Sequence, residues 1–170
     1  NFDTSSKFIF VTFHRRENQD HNILLFLKLI KNISARFFEL NIILPLHLNP
    51  KVKKILTKEL SNIINVYLIS HQSYIKSLYL IKKSQFVVSD SGGIQEEVPS
   101  FKKKIIVLRK FSERLEGVKL KIAFLLNLDE DRIIKKIKIL LNDEKGKSLI
   151  KNPYGDGNAA YKIMQFFDRL

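Results

Sequence analysis

The sequence predicts an α/β fold, a doubly wound parallel sheet in a single domain spanning residues 1–170. Three observations predict it. Short apolar runs alternate with longer segments of helical periodicity along most of the chain. Several of those runs are continuously apolar, as strands covered on both faces by helices must be. The polar clusters fall just after the runs, at what becomes the carboxyl edge of such a sheet, where its ligands bind.

Phe8–Phe13 is the first strand. A helix from about Asn22 to Phe38 carries Ile23, Phe26, Leu27, Ile30, Ile33 and Phe37 on one stripe, with His21 merely flanking it. Asn41–Leu46 is the second strand, and Pro50 opens a helix to Leu60 at a position that tolerates proline. Asn65–Ser70, Ser73–Lys82 and Gln85–Ser89 read as strand, helix and strand. Ser91 opens a helix that stops near Pro99. Lys104–Leu108 and Lys121–Leu125 are the fifth and sixth strands, the latter the weaker pattern. Asp129 caps an amphipathic helix with Ile133, Ile134, Ile137, Leu140 and Leu141 inward. After the turn-rich Asn152–Gly157, a last helix runs from about 158 to 168.

The composition excludes several classes of function. With no cysteine there is no disulfide framework, thiolate metal site or thiol nucleophile. No stretch has the pattern of a signal peptide or membrane span, which fits a reducing, cytoplasmic setting. The net charge of +13 favours phosphorylated ligands. Its lysines are scattered over helices as solvated faces, however, and no nucleic-acid motif accompanies them. The histidines lie on separate loops without paired-ligand spacing, so no metal site is expected. The chain opens at Asn1, just before its first strand, as the tail of something longer would.

The stretch with the most chemistry is Phe86–Glu97. An apolar strand runs into Ser91, Gly92 and Gly93, an N-cap hydroxyl followed by two residues without Cβ. Bare N–H groups at the positive end of a helix dipole suit a phosphate, and Glu96 and Glu97 stand within reach of sugar hydroxyls. The same residues also fit a plain tight connection with a solvated helix face. Other strand ends carry His14-Arg15-Arg16-Glu17-Asn18, His47 before Asn49-Pro50, His71-Gln72, and Arg109 with Ser112-Glu113-Arg114. Arginine forks and histidines suit a diphosphate. His47 could equally satisfy only its own turn, and His71 reads as a loop residue.

Val11–Asn18, Leu44–Pro50, Ser89–Ser100, Val107–Gly117 and Asn152–Gly157 together resemble, in order and spacing, the bacterial non-hydrolysing UDP-N-acetylglucosamine 2-epimerases. The resemblance implies the Rossmann-like C-terminal half of a two-domain GT-B fold. It implies interconversion of UDP-N-acetylglucosamine and UDP-N-acetylmannosamine by elimination and re-addition of UDP, without metal or nicotinamide. Ser91, Gly92 and Gly93 would hold the diphosphate and Glu97 the ribose. His14 would be the catalytic group beside the leaving UDP. Arg15 and His47 match a neighbouring UDP-sugar site of some members, and Arg109, Glu113 and Arg114 would line the cleft. The acid/base carboxylates of the family lie mostly in the N-terminal half.

Two departures stand out. Lys110 replaces a carboxylate and Leu115 a proline in the block that usually reads Arg-Asp-Thr-Thr-Glu-Arg-Pro-Glu. The expected partners are UDP or UDP-N-acetylglucosamine and a missing N-terminal domain or subunit, to which the last helix could cross. Uncovered, the Ala160, Ile163, Met164 and Phe167 stripe of that helix would drive self-association, for instance as a homodimer. Alone, the chain is expected to be inactive. The competing readings are a non-catalytic UDP-sugar-binding remnant, half of a GT-B glycosyltransferase, and a basic polyanion binder.

Overall fold

A computed structural model describes residues 5–15, 22–143 and 151–169. The predictions for Arg16–Asn18 and His21 lie outside these. Six parallel strands form one sheet: β1 (Phe8–Thr12), β2 (Asn41–Pro45), β3 (Val66–Ile69), β4 (Val87–Ser89), β5 (Ile105–Val107) and β6 (Ala123–Leu125). Their spatial order is β3-β2-β1-β4-β5-β6, so the direction of winding reverses between β1 and β4.

β1 is buried along its whole length, and its period-2 alternation divides the core in two. Ile9, Val11 and Phe13 join the cluster made with α1 (Ile23–Arg36), α2 (Pro50–Leu60) and α6 (Glu130–Leu141). There Phe13 stacks on Phe26, ring centroids 4.1 Å apart. Phe8 and Phe10 join the opposite cluster, with Leu80 and Ile81 of α3 (Tyr74–Lys83) and Val98 after α4 (Gly92–Glu97). A sheet covered on both faces explains the unbroken apolar runs.

Helix starts follow the caps in the sequence. Asn49, Ser73, Ser91 and Asp129 each accept a bond from an N–H in the first turn of α2, α3, α4 and α6. β3 begins one residue later than its apolar run, although the Asn65 carbonyl still accepts the Ile42 N–H at 2.8 Å, and the Asn65 side chain turns to the α1–β2 connection. Its Nδ2 bonds the carbonyls of Phe37, Phe38 and Leu40, closing the α1–β2 turn. α4 ends at Glu97, but the chain keeps turning through a 3-10 segment, Val98–Phe101, whose first turn tolerates Pro99. It stops at Lys102 in the left-handed region, φ 55°.

One element was not read from the sequence. Leu115–Lys119 forms a short helix, α5, and Lys121 (φ 57°) then turns directly into a β6 shorter than its apolar run. The last helix, α7 (Ala159–Phe167), forms where expected but has no buried residue; Ile163, Met164 and Phe167 are all exposed. Among the described residues no helix is long and apolar enough to cross a membrane.

Candidate functional site

In a sheet of this winding the ligand crevice opens outside the carboxyl ends of the strands flanking the reversal, here β1 and β4. Those ends are bound to each other through side chains. Thr12 and Ser89 are register partners, and their buried hydroxyls lie 2.6 Å apart. Ser89 Oγ also accepts the Ser91 N–H at 2.9 Å, which sets the direction of the turn. Between them Asp90 is fully buried. Its carboxylate accepts the His14 N–H on both oxygens, at 3.0 and 3.1 Å, and the Arg15 N–H at 3.0 Å.

Ser91, Gly92 and Gly93 then open α4 with negative φ throughout, so glycine is not demanded by backbone conformation. Space separates the two glycines. A Cβ on Gly92 would lie 2.8 Å from Arg114 Cζ, whereas one on Gly93 would meet nothing within 4 Å. Nothing in the described chain requires Gly93 to lack a side chain.

The Arg114 guanidinium stands over this turn, its Nε 2.6 Å from Glu96 Oε1 and its Nη1 paired with Glu113. Arg109 Nη1 lies 3.3 Å from Glu113 Oε2. Glu113 is held below the usual carboxylate range by its own backbone N–H and by both arginines. Gln95, buried in α4, ties this loop down: its Nε2 donates to Ser91 O at 3.1 Å, and its Oε1 accepts from Ser112 Oγ at 2.8 Å. The predicted Arg109, Glu113 and Arg114 are thus brought to the Gly92 turn.

The histidines converge on the other side. The His14 and His47 rings are 5.9 Å apart, and His71 is close enough to act on His14 electrostatically. Burial holds His14 below its ordinary range; Asp90 opposes this, while His47 and His71 add to it. His47 Nδ1 accepts the Asn49 N–H at 2.8 Å, so the neutral ring carries its proton on Nε2. His47 therefore does bond its own turn. Among the described residues no three His, Asp or Glu side chains could hold a metal ion.

Glu97 lies next to Glu96 at the end of α4. Burial raises its pKa, the Tyr74 hydroxyl donates to it and lowers it, and Glu96 raises it again. It borders a cleft of about 810 Å³, shared with Glu96, Lys102, Asn152, Tyr154 and Asp156 among others. Asn152 Nδ2 bonds Glu96 O at 3.0 Å and Ser100 Oγ at 2.7 Å, fastening the Asn152–Tyr154 segment to α4. The Tyr154 hydroxyl accepts from Gly117 N–H at 3.0 Å and donates to Arg114 O at 3.2 Å.

Comparison with known proteins gives the family. Residues 1–168 match the family model described as UDP-N-acetylglucosamine 2-epimerase. The chain belongs to the UDP-N-acetylglucosamine 2-epimerase family. It is 41% identical over 163 residues to the UDP-N-acetylglucosamine 2-epimerase of Campylobacter jejuni, covering 94% of this chain and 43% of that protein. The crystal structure of the Neisseria meningitidis UDP-GlcNAc 2-epimerase bound to UDP-GlcNAc superposes with a TM-score of 0.89 at 37% identity, covering 99% of this chain and 46% of that one. The chain thus spans less than half the length of these 2-epimerases and corresponds to their C-terminal half. An Escherichia coli heptosyltransferase solved with ADP shares the fold alone, at a TM-score of 0.59 and 13% identity over 79% of this chain and 44% of that one. The fold is the Rossmann-like α/β unit of GT-B proteins.

Three residues of this candidate site were given no role by the sequence reading: Asp90, Gln95 and Tyr154. Each acts on backbone or on another positioning group, and such partners leave no spacing signature. The signal for Tyr154 was Gly117, whose Cβ would come 2.5 Å from the Tyr154 hydroxyl.

Proposed function

We propose that this chain supplies the UDP-gripping half of an epimerase that interconverts UDP-N-acetylglucosamine and UDP-N-acetylmannosamine. The observation that carries the reading is the Ser91–Gly93 turn. It lies at the β1–β4 reversal, with open space before Gly93 and the Arg114 guanidinium above Gly92. The N–H groups of Gly92 and Gly93 hold the diphosphate, Ser91 shapes the turn, and Arg114 supplies a charge-assisted fork. Arg109 and Glu113 set the position of that fork. Glu97, bordering a space in the size range of small-molecule sites, takes the ribose hydroxyls. Arg15 and His47 line the adjoining edge, where a second UDP-sugar can lie.

Chemistry follows from where charge develops. Breaking the anomeric C–O bond leaves negative charge on the diphosphate, and His14 stands beside it. Burial favours neutral imidazole in the empty site, but an arriving dianion draws the proton back onto the ring. The imidazolium then stabilises the leaving oxygen. The base that takes the C2 proton is assigned to the N-terminal half of full-length relatives. The bare α7 face is assigned to contact with that half. Alone, the chain binds but does not turn over.

Calorimetry with UDP and UDP-N-acetylglucosamine tests the grip. Binding by the chain, weakened by Glu97→Ala and by Gly93→Val, is the expected result; no binding of either nucleotide overturns the reading. Adding an N-terminal half should restore epimerisation. Intact binding with no turnover after reconstitution would instead assign a binding remnant, with the Lys110–Leu115 departures as its cause.

A further inference from the structure

We propose that Asp90 is a positioning residue for the reaction: its carboxylate clamps the main chain of His14 and Arg15 to the Ser91–Gly93 turn and so fixes where the His14 imidazole meets the diphosphate. This rests on the reading of that turn as the UDP grip.

The clamp uses both oxygens of a carboxylate. Asp90 is 0% exposed and directly precedes the turn. It spends both oxygens on three contacts with two successive N–H groups, at 3.0, 3.1 and 3.0 Å, 76 and 75 positions away. A hydroxyl or an amide oxygen could hold the loop with one acceptor atom, without introducing a charge. A fixed negative charge beneath a site for an anion works against the ligand unless a cation mediates between them. His14 is that group. Among the described residues, the titratable neighbours acting on it are Asp90, which favours its protonated form, and His47 and His71, which oppose it. The next residue, Arg15, is clamped by the same carboxylate. Asp90 thus both places the imidazole and keeps it able to take up a proton when the diphosphate arrives.

The test compares the 170-residue chain with Asp90→Asn, His14→Gln and the double variant, titrating His14 by NMR and UDP by calorimetry. Asp90→Asn should make His14 titrate at lower pH. It should weaken UDP about tenfold where His14 is present and less than about twofold in the His14→Gln background. An unchanged His14 titration, or equal loss of UDP in both backgrounds, overturns the proposal, since a merely structural Asp90 gives the second result. Should Asp90→Asn fail to fold, amide exchange in the unsubstituted chain decides. Slow exchange at His14 and Arg15 supports the clamp, and open-loop rates overturn it. If UDP does not bind the unsubstituted chain, the nucleotide reading falls, while the His14 titration and the amides still decide the clamp.

Discussion

Replacing Gly93 by alanine should make the chain more stable and a worse binder of UDP. Gly93 sits in the first turn of α4 at negative φ, and an added Cβ meets nothing within 4 Å. The substitution therefore costs no native contact and removes freedom from the unfolded chain, a gain of about 0.4–1 kcal/mol. For a domain of this size that raises Tm by about 1–4 °C. The same methyl projects into the space where a phosphate must approach the backbone. Losing one charge-assisted bond of about 1.5–3 kcal/mol corresponds to a roughly 10- to 150-fold weaker affinity. Thermal unfolding without ligand and calorimetry with UDP measure the two effects separately. Gly92→Ala is the control of opposite character, because its Cβ would drive the Arg114 guanidinium away from Glu96. That ion pair is half exposed and worth about 0–1 kcal/mol, so little net stability change is expected there. A stabilised Gly93→Ala that binds UDP as tightly as the unsubstituted chain would refute the placement of the phosphate. A destabilised one would refute the account of the turn.

Other outcomes follow from the same geometry. Because burial lowers the folded-state pKa of His14 beneath its unfolded value of about 6.5, the unfolded chain binds more protons between the two. Stability should therefore rise with pH through that window and flatten above it, and His14→Gln should remove that part of the slope. Urea unfolding across about pH 5–8 checks this, and a slope unaffected by the substitution contradicts the burial of the ring. Tyr154→Phe should cost about 1–3 kcal/mol in urea unfolding by stranding the Gly117 N–H. Gly117→Ala should cause a loss that is not additive with it, since both act on one contact. Light scattering should show the mass of the chain rising with concentration, and Ile163→Lys with Phe167→Lys should suppress the rise; a constant mass in the unsubstituted chain argues against an adhesive α7.

Most of the fold was legible because it is written in burial. Ile9, Val11 and Phe13 face one layer and Phe8 and Phe10 the other, so a run apolar on both faces could only be an inner strand. Caps such as Asp129 and Ser91 marked helix starts by their own chemistry. α5 was not legible, since Leu115-Glu116-Gly117-Val118-Lys119 is barely a turn and has glycine at its centre, where propensity argues against a helix. At the site, sequence could name residues with chemistry but not their allegiances. Glu96 looked free for a sugar, yet Arg114 holds it. Asp90 looked like a strand end, yet its partners are amide groups that every residue carries.

The span of those amide contacts reaches into folding. Asp90 and His14 are 76 positions apart, and between them lie α1, β2, α2, β3, α3 and β4. No fragment ending before β4 can contain the crevice, and partly ordered chains that have not yet seated β4 beside β1 lack it too. Whatever binds there therefore binds only the fully assembled sheet. A ligand present at a hundred times its Kd then adds about 2.7 kcal/mol to the stability of that state. A ligand of the crevice would thus shield chains that have finished folding from proteolysis and do nothing for unfinished ones.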